Sequence, residues 1–453
     1  MKDTTAQQEK AQTAEQKDAS AQQKSTQTAD QKDRAKDQKA REKERKKKER
    51  AERRALRRYR FAFAFFRFFM TPFIKLKFRY RYDSLKKIKG PYLLLANHNM
   101  EMDPILLGIA ARRQAFFVAS EHIARKGFGT WFLMRYFHPI LHRKGKDGAR
   151  SVMTILKTLR SGSSVALFPE GNRSFDGVTC PIPEATGKMA KHAGVPVITY
   201  RFEGGYLSQP RFSLTLRKGR VTGHLVRVYQ PEELKAMTDE QVIEAIAADL
   251  REDAYETQER EKIAFKGKKL ARGIESTLYR CPKCGRFGTL QSDDKSVRCD
   301  CGYEAEYDVY GYVGGETMRD LNASQREALR QRLWDAMKRE ADTSKGEELA
   351  EQGQEASDSS DIFRDTVTVR RIGADHEVLW EREGAISADC GGVYITGEQG
   401  EQIEVRELAV YSRNAIAAHC TEELVAYDVR GDERFCALKY LHLHEEVQAV
   451  RMA

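Results

Sequence analysis

The stretch Leu93-Leu94-Leu95-Ala96-Asn97-His98-Asn99-Met100-Glu101-Met102-Asp103 constrains the fold more than any other part of the chain. An apolar run of strand length breaks at a polar corner, and Asp103-Pro104 then offers a helix cap and first position. A strand whose end presents His98 and Asp103 is therefore expected. The two lie five residues apart, which on one helix would set them about 140° apart, so pairing requires the loop to fold the carboxylate back. An Asp on one imidazole nitrogen fixes the tautomer and leaves the other nitrogen as a base. A helix cap and a satisfied surface histidine are the plainer uses of the same two residues.

Beyond this stretch, strand-like and helix-like pieces alternate, as in an α/β domain with a mixed sheet and flanking helices, expected over residues 89–235. The candidate strands are Tyr92–Ala96, Ala115–Ala119, Pro139–Leu141, Ser164–Phe168 and Val195–Phe202. Helices are expected over Pro104–Ala111, Gly129–Phe137, Gly148–Ser161 and Thr186–His192. In sheets of this kind, sites form outside the carboxyl ends of the strands. Two further polar patches fall at such ends. Val165–Phe168 runs into Pro169-Glu170-Gly171-Asn172-Arg173-Ser174, a turn rich in backbone amides that carries a guanidinium, as phosphate binding requires. Upstream, His138-Pro-Ile-Leu-His142-Arg143-Lys144 brings cations to another strand end.

Asn97-His98 with Asp103, then Arg143, then Phe168-Pro-Glu170-Gly171-Asn172-Arg173-Ser174, then Gly194-Val-Pro196-Val197-Ile198 resemble, in order, the four blocks of the glycerophospholipid acyltransferase family. The resemblance covers about Tyr92 to Gly205. Asn172 stands where the family usually has threonine, and the glycine that usually precedes the second-block arginine is missing. The resemblance implies that His98 takes the proton from an acceptor hydroxyl attacking an acyl thioester, while Asp103 orients the imidazole. Arg143 and Arg173 would bind the acceptor's phosphate, and Glu170 with Gly171 would shape that site. It implies an acyl-CoA or acyl carrier protein as donor, a lysophospholipid as acceptor, and no catalytic cofactor. Free amides at the helix start near Pro104 would be available to an oxyanion.

The formal charge of +11 is unevenly spread. Residues 1–58 read as a tail, disordered at first and then a basic helix, because Arg41 to Arg60 holds twelve Lys/Arg against four Asp/Glu. A membrane-interfacial segment over residues 59–88 follows. Its Phe61–Ile74 stretch carries seven phenylalanines in fourteen residues, too short to cross about 30 Å of hydrocarbon, and it is broken by Arg67 and Pro72. With Lys75, Lys77, Arg79 and Arg81 behind it, the segment is suited to lie on anionic lipid. The expected location is peripheral, on the cytoplasmic face of the cell membrane.

A charged helical connector is expected over residues 236–277, and Cys281-Pro-Lys-Cys284 with Cys299-Asp-Cys301 then reads as a zinc ribbon over residues 278–310. Four thiolates on two tight turns make a closed structural Zn2+ site, with iron or free thiols as the other uses of the pattern. Eight cysteines, four of them clustered, do not form a secreted disulfide framework, and they point to a reducing compartment. A helix is expected over residues 311–345, with Asn322 or Ser324 as its cap, and an acidic linker over 346–362. Residues 363–453 read as seven short strands and a terminal helix, a β-rich, pleckstrin-homology-like domain. The chain as a whole thus reads as an enzyme making phosphatidic acid from lysophosphatidic acid. Glycerol-3-phosphate or another lysophospholipid is the alternative acceptor, and a zinc-ribbon nucleic-acid or scaffold protein is the alternative class. Against nucleic acid, the basic run has no element to read base edges and the phenylalanines have no use there.

Overall fold

The computed structural model describes residues 42–48, 50–120, 131, 134–142, 148–347, 361–373, 377–420 and 425–452. Residues 1–41 of the tail expected over 1–58, Arg143, and most of the acidic linker lie outside the described residues. The chain divides into two units, Met1–Phe61 and Ala62–Ala453. In the first, residues 42–48 and 50–61 are helical.

The second unit is built on a seven-stranded mixed sheet of β1 (Arg81–Tyr82), β2 (Leu93–Ala96), β3 (Ala115–Ser120), β4 (Ile140–His142), β5 (Ser164–Leu167), β6 (Val197–Glu203) and β7 (Thr222–Tyr229). Their spatial order is β1-β7-β6-β2-β5-β3-β4, and β2 pairs in parallel with both β5 and β6. Leu93, Leu94, Leu95 and Ala96 are all fully buried. Successive strand side chains point to opposite faces, so Leu94 and Ala96 join one core while Leu93 and Leu95 join another. The first core is closed by α1 (Asp103–Ala111) and the helical residues 62–78, and the second by α2 (Gly148–Arg160), α3 (Ala185–Lys191) and α4 (Asp239–Leu250). A central strand covered on both sides explains why this run reads as continuously apolar rather than alternating. Burying each of these leucines contributes about 1.5–3 kcal/mol.

Two sheet members, β1 and β7, were not expected. The apolar residues of β7 are interrupted by Gly223, His224 and Arg227, and its antiparallel ladder with β6 slips at Thr199/Tyr200, so its period of two is blurred. The helix start also differs by one residue. Met102 is the N-cap and makes no side-chain cap bond, whereas Asp103 is already helical and its carboxylate turns back toward the loop.

The phenylalanine-rich segment is helical over residues 62–78 and has two unlike sides. Phe63, Met70, Ile74 and Phe78 face inward, with Phe63 packing on Gly108, whose missing side chain leaves the room. Phe65, Phe68, Phe69, Phe73 and Leu76 stand exposed on the other side. Among the described residues, no helix is long and apolar enough to cross a membrane.

After β7 the chain forms short helices, then the antiparallel strands β8 (Leu290–Ser292), β9 (Ser296–Cys299) and β10 (Tyr303–Glu306), the small pair β11 (Tyr312–Val313) and β12 (Glu316–Thr317), and the long helix α5 (Met318–Glu347). Asn322 is not the cap of α5. It lies inside the helix, where its amide donates to Asp176 Oδ2 at 2.7 Å. The C-terminal domain is a closed barrel of six strands, β13 (Phe363–Ile372), β14 (Val378–Ala388), β15 (Val393–Thr396), β16 (Gln402–Ser412), β17 (Ala415–Cys420) and β18 (Val425–Arg430), plugged by α6 (Ala437–Met452). The expected count of seven fails because Gln402–Val405 and Leu408–Tyr411 are one strand, with register shifts at Val405/Glu407 and Val410/Ser412 that mimic a turn in sequence. Leu438, Leu441, Leu443 and Val447 of α6 enter the barrel core, and the Tyr440 hydroxyl donates to Asp365 Oδ2 at 2.7 Å. Tyr279, ahead of the cysteine cluster, and Leu329 and Leu333 of α5 belong to that same core, so barrel, helix and cysteine-bearing segment pack as one body.

Candidate active site and metal centre

The loops leaving the carboxyl ends of β2 and β5 meet beside each other, because those strands are neighbours in the sheet. The β2 loop is organised by one oxygen. Asp103 Oδ2 accepts from His98 Nδ1 at 2.9 Å, from the Asn99 amide at 2.6 Å and from the Met100 amide at 2.8 Å. Those bonds fold the carboxylate back as pairing requires, and with the carboxylate as acceptor, Nδ1 carries the proton and Nε2 is the basic nitrogen. The Asp103 side chain is fully enclosed, whereas that of His98 keeps 21% of its surface exposed.

The β5 loop grips the same histidine from the other side. Its Phe168 ring stacks on the imidazole with centroids 4.4 Å apart, and the Ser174 amide donates to the His98 carbonyl at 2.9 Å. The Glu170 carboxyl accepts from the His98 amide at 2.6 Å and from the Cys180 amide at 2.7 Å. Both oxygens are thereby occupied, so Glu170 shapes the site by holding backbone. Gly171 follows at φ 67°, a left-handed conformation that its lack of a Cβ makes cheap, and its amide closes the turn onto Phe168 O. Arg173 emerges from this turn with Nη2 3.3 Å from Glu101 Oε1.

Burial sets the charges here. It lowers the His98 pKa below the usual value; Asp103 opposes this, and Arg173 and Arg211 add to it. The ring is thus neutral at physiological pH and able to take a proton. Burial likewise pushes the Glu170 carboxyl up to about 8, against the pull of its two amide donors.

His98, Asp103, Glu170, Gly171 and Arg173 therefore come together, while Arg143 lies outside the described residues. His142, beside it in sequence, pairs through Nδ1 with Ser151 Oγ at 2.8 Å. Of the amides at the helix start, Asp103 donates to the Met100 carbonyl at 3.2 Å and Ile105 to the Met102 carbonyl at 2.9 Å, and Pro104 has no N–H.

Sequence reasoning missed a second layer that comes from distant segments. Asn97 and Phe202 exchange hydrogen bonds of 2.9 and 2.7 Å, locking the β2 corner to β6. Asn99 donates to Glu252, whose other oxygen accepts from the Gly204 amide at 3.1 Å; burial raises this carboxyl well above the usual range. Gly205 comes so close to Asn99 that a Cβ there would sit 2.9 Å from the Asn99 Cβ. Arg211 reaches the Arg173 carbonyl at 3.3 Å. Nothing local in the sequence marks Glu252 or Arg211, because each acts across more than thirty residues of chain.

Away from this site, the Sγ atoms of Cys281, Cys284, Cys299 and Cys301 all lie within 4.8 Å of one another. Cys281 and Cys301 are 3.7 Å apart, and Cys284 and Cys299 are 3.8 Å apart. A tetrahedral ion with metal–sulphur bonds of about 2.3 Å has edges of about 3.8 Å, so the donor set fits a metal ion. Each knuckle ends in a left-handed glycine whose amide bonds back, Gly285 to Cys281 O and Gly302 to Cys299 O. Hydrogen bonds from the backbone and side chain of Arg286 hold the Cys284 thiol down at about 6, and the Cys301 amide lowers Cys299. Cys281 moves the other way, up to about 12 through burial, and a dication among the four sulphurs would remove that penalty. The full-length chain is accordingly expected to bring one metal ion through purification, measured by elemental analysis. Cys284→Ser should release it and lower the melting temperature; a metal-free, equally stable wild type would contradict this.

Residues 77–203 match the family model described as Acyltransferase. The chain is 23% identical over 167 residues to the 1-acyl-sn-glycerol-3-phosphate acyltransferase of Borreliella burgdorferi, covering 35% of this chain and 67% of that protein. Among solved structures, it is similar to the 1-acyl-sn-glycerophosphate (LPA) acyltransferase, PlsC, of Thermotoga maritima, with a TM-score of 0.35 and 21% identity over 41% of this chain and 73% of the other.

Proposed function

We propose that this chain, whose residues 77–203 form an acyltransferase-family domain, moves a fatty acyl group from a thioester to the free hydroxyl of lysophosphatidic acid, giving phosphatidic acid. The observation that carries the reading is the 2.9 Å bond from His98 Nδ1 to Asp103, which leaves Nε2 as a base next to Arg173. In this mechanism Nε2 takes the hydroxyl proton as the oxygen attacks the thioester carbon. Asp103 stabilises the imidazolium, the ester C–O bond forms, and the C–S bond breaks. The proton then passes from Nε2 to the leaving thiolate, so no covalent acyl-enzyme is needed. Arg173 holds the acceptor's phosphate, and fixing hydroxyl and thioester together supplies much of the rate. The donor is acyl-CoA or acyl carrier protein, and glycerol-3-phosphate is the alternative acceptor.

The metal of the cysteine cluster is zinc in this reading, with a purely structural role. It would be held by Cys281, Cys284, Cys299 and Cys301, which leave it no open position. The exposed Phe65, Phe68, Phe69 and Phe73 lie on an anionic membrane surface as part of a peripheral anchor, at the cytoplasmic face.

Two measurements test these proposals. A product assay with purified protein, an acyl-CoA and a panel of lysophospholipids and glycerol-3-phosphate should yield phosphatidic acid from lysophosphatidic acid. Formation of no acylated product from any member would overturn the enzyme reading. In flotation with anionic vesicles, the wild type should bind, and high salt should weaken binding only partly, since salt screens cations but not phenylalanines. Replacing Phe65, Phe68 and Phe69 by Ser should release the protein, and unchanged binding of that variant would remove the anchor.

A further inference from the structure

Arg211 is a buried cation without an anion. Only 8% of the residue is exposed, and no carboxylate lies within ion-pair distance of it among the described residues. Its Nη1 donates to the Arg173 carbonyl at 3.3 Å and its Nη2 to the Val410 carbonyl of β16, while Nε has no hydrogen-bond partner. The guanidinium lies over the Phe175 ring, 4.4 Å from its centroid. Backbone carbonyls and a ring face satisfy part of its hydrogen-bonding need but do not neutralise its charge, and an unpaired buried charge is costly unless something else balances it.

The surroundings say what would balance it. Arg173 sits next to Arg211, and the two like charges repel. Between them they have one carboxylate contact, from Arg173 to Glu101, whose side chain is 59% exposed and therefore well screened. The segment that carries Arg211 is also laced into the catalytic loop. Gln209 accepts from the Glu101 amide at 3.1 Å and donates to the Glu101 carboxylate at 3.3 Å. Arg173 and Arg211, near enough to act on each other and on His98, put two positive charges at the site, and Arg211, outside the matched residues, is held there by β16.

We propose that Arg211, clamped by the barrel strand β16, supplies the second positive charge of the acceptor-phosphate site and so selects phosphate monoesters over phosphodiester lysophospholipids. This rests on the acyl-transfer reading above. A monoester phosphate carries about −1.5 to −2 charges at neutral pH and matches two guanidiniums. A phosphodiester such as lysophosphatidylcholine carries one negative charge, offset by its own cation. Arg211 acts through Arg173 and through the field at the site, as a positioning residue. Burial lowers its pKa to about 9, with Arg173 adding to the effect, so it remains charged at neutral pH.

The test uses full-length Arg211→Met, which removes the charge, and Arg211→Lys, which keeps it. In the Met variant KM for lysophosphatidic acid should rise about tenfold or more, corresponding to about 1.4 kcal/mol. The loss should fall on KM rather than on kcat, the preference over lysophosphatidylcholine should shrink, and Lys should restore most of both. The acid limb of kcat/KM offers a second readout. His98 is faced by the Asp103 carboxylate on Nδ1, by Glu170 on its backbone amide, and by the Arg173 and Arg211 cations. A nearby cation disfavours imidazolium, so removing Arg211 raises the histidine's pKa and moves the limb to higher pH in the Met variant but not in the Lys variant. Calorimetric binding of inorganic phosphate, tighter in wild type than in the Met variant, tests the cation pair even if no acceptor is turned over. If wild type is active but both variants lose melting temperature with KM, selectivity and phosphate binding unchanged, Arg211 is a barrel anchor only and the proposal fails. A wild type that acylates nothing yet binds phosphate through Arg211 overturns the acyl-transfer reading instead.

Discussion

One oxygen organises the site. Asp103 Oδ2 receives the His98 ring proton and two successive backbone amides, so the same three bonds that fold the loop also set the tautomer of the imidazole. The buried carboxylate is satisfied through this one oxygen, Oδ1 having no hydrogen-bond partner, and the same bonds orient the imidazole. Glu170 does the equivalent from the β5 side, spending both oxygens on the amides of His98 and Cys180. The two loops can do this because β2 and β5 are hydrogen-bonded neighbours whose carboxyl ends lie level.

The flanking segments complete the domain rather than merely follow it. Glu252, beyond α4, reaches Asn99 in the loop leaving β2, and Arg211 reaches the backbone of Arg173 while being held by the barrel. The barrel shares its core with α5 and with the segment leading into the cysteine cluster. A metal bound there would stiffen the segment on which the barrel rests, because the binding free energy of such sites is folding free energy. The added domains thus act on the site through packing and a few long-range hydrogen bonds.

Much of this was legible in the sequence where the signal is local. The Leu93–Ala96 run announced a strand, and the spacing from His98 to Asp103 announced a folded-back loop. The four cysteines announced their own cluster. What was not legible depends on tertiary partners. Arg211 and Glu252 are ordinary charged residues until chain segments far apart in sequence meet. The strand β16 reads as two because its bulges look like turn positions. Amides at the helix start looked free for an oxyanion, yet those of Asp103 and Ile105 bond to the Met100 and Met102 carbonyls.

The central claim is that His98, oriented by Asp103, is the base for acyl transfer, and steady-state kinetics of His98→Ala in the full-length chain test it most directly. With an acyl-CoA donor and lysophosphatidic acid as acceptor, kcat should fall by about two to four orders of magnitude. Inorganic phosphate binding should stay close to that of wild type, since Arg173 and its neighbours are untouched. If the variant instead kept more than about a tenth of wild-type turnover, a general base of the usual worth could not be this histidine, and the account would be contradicted.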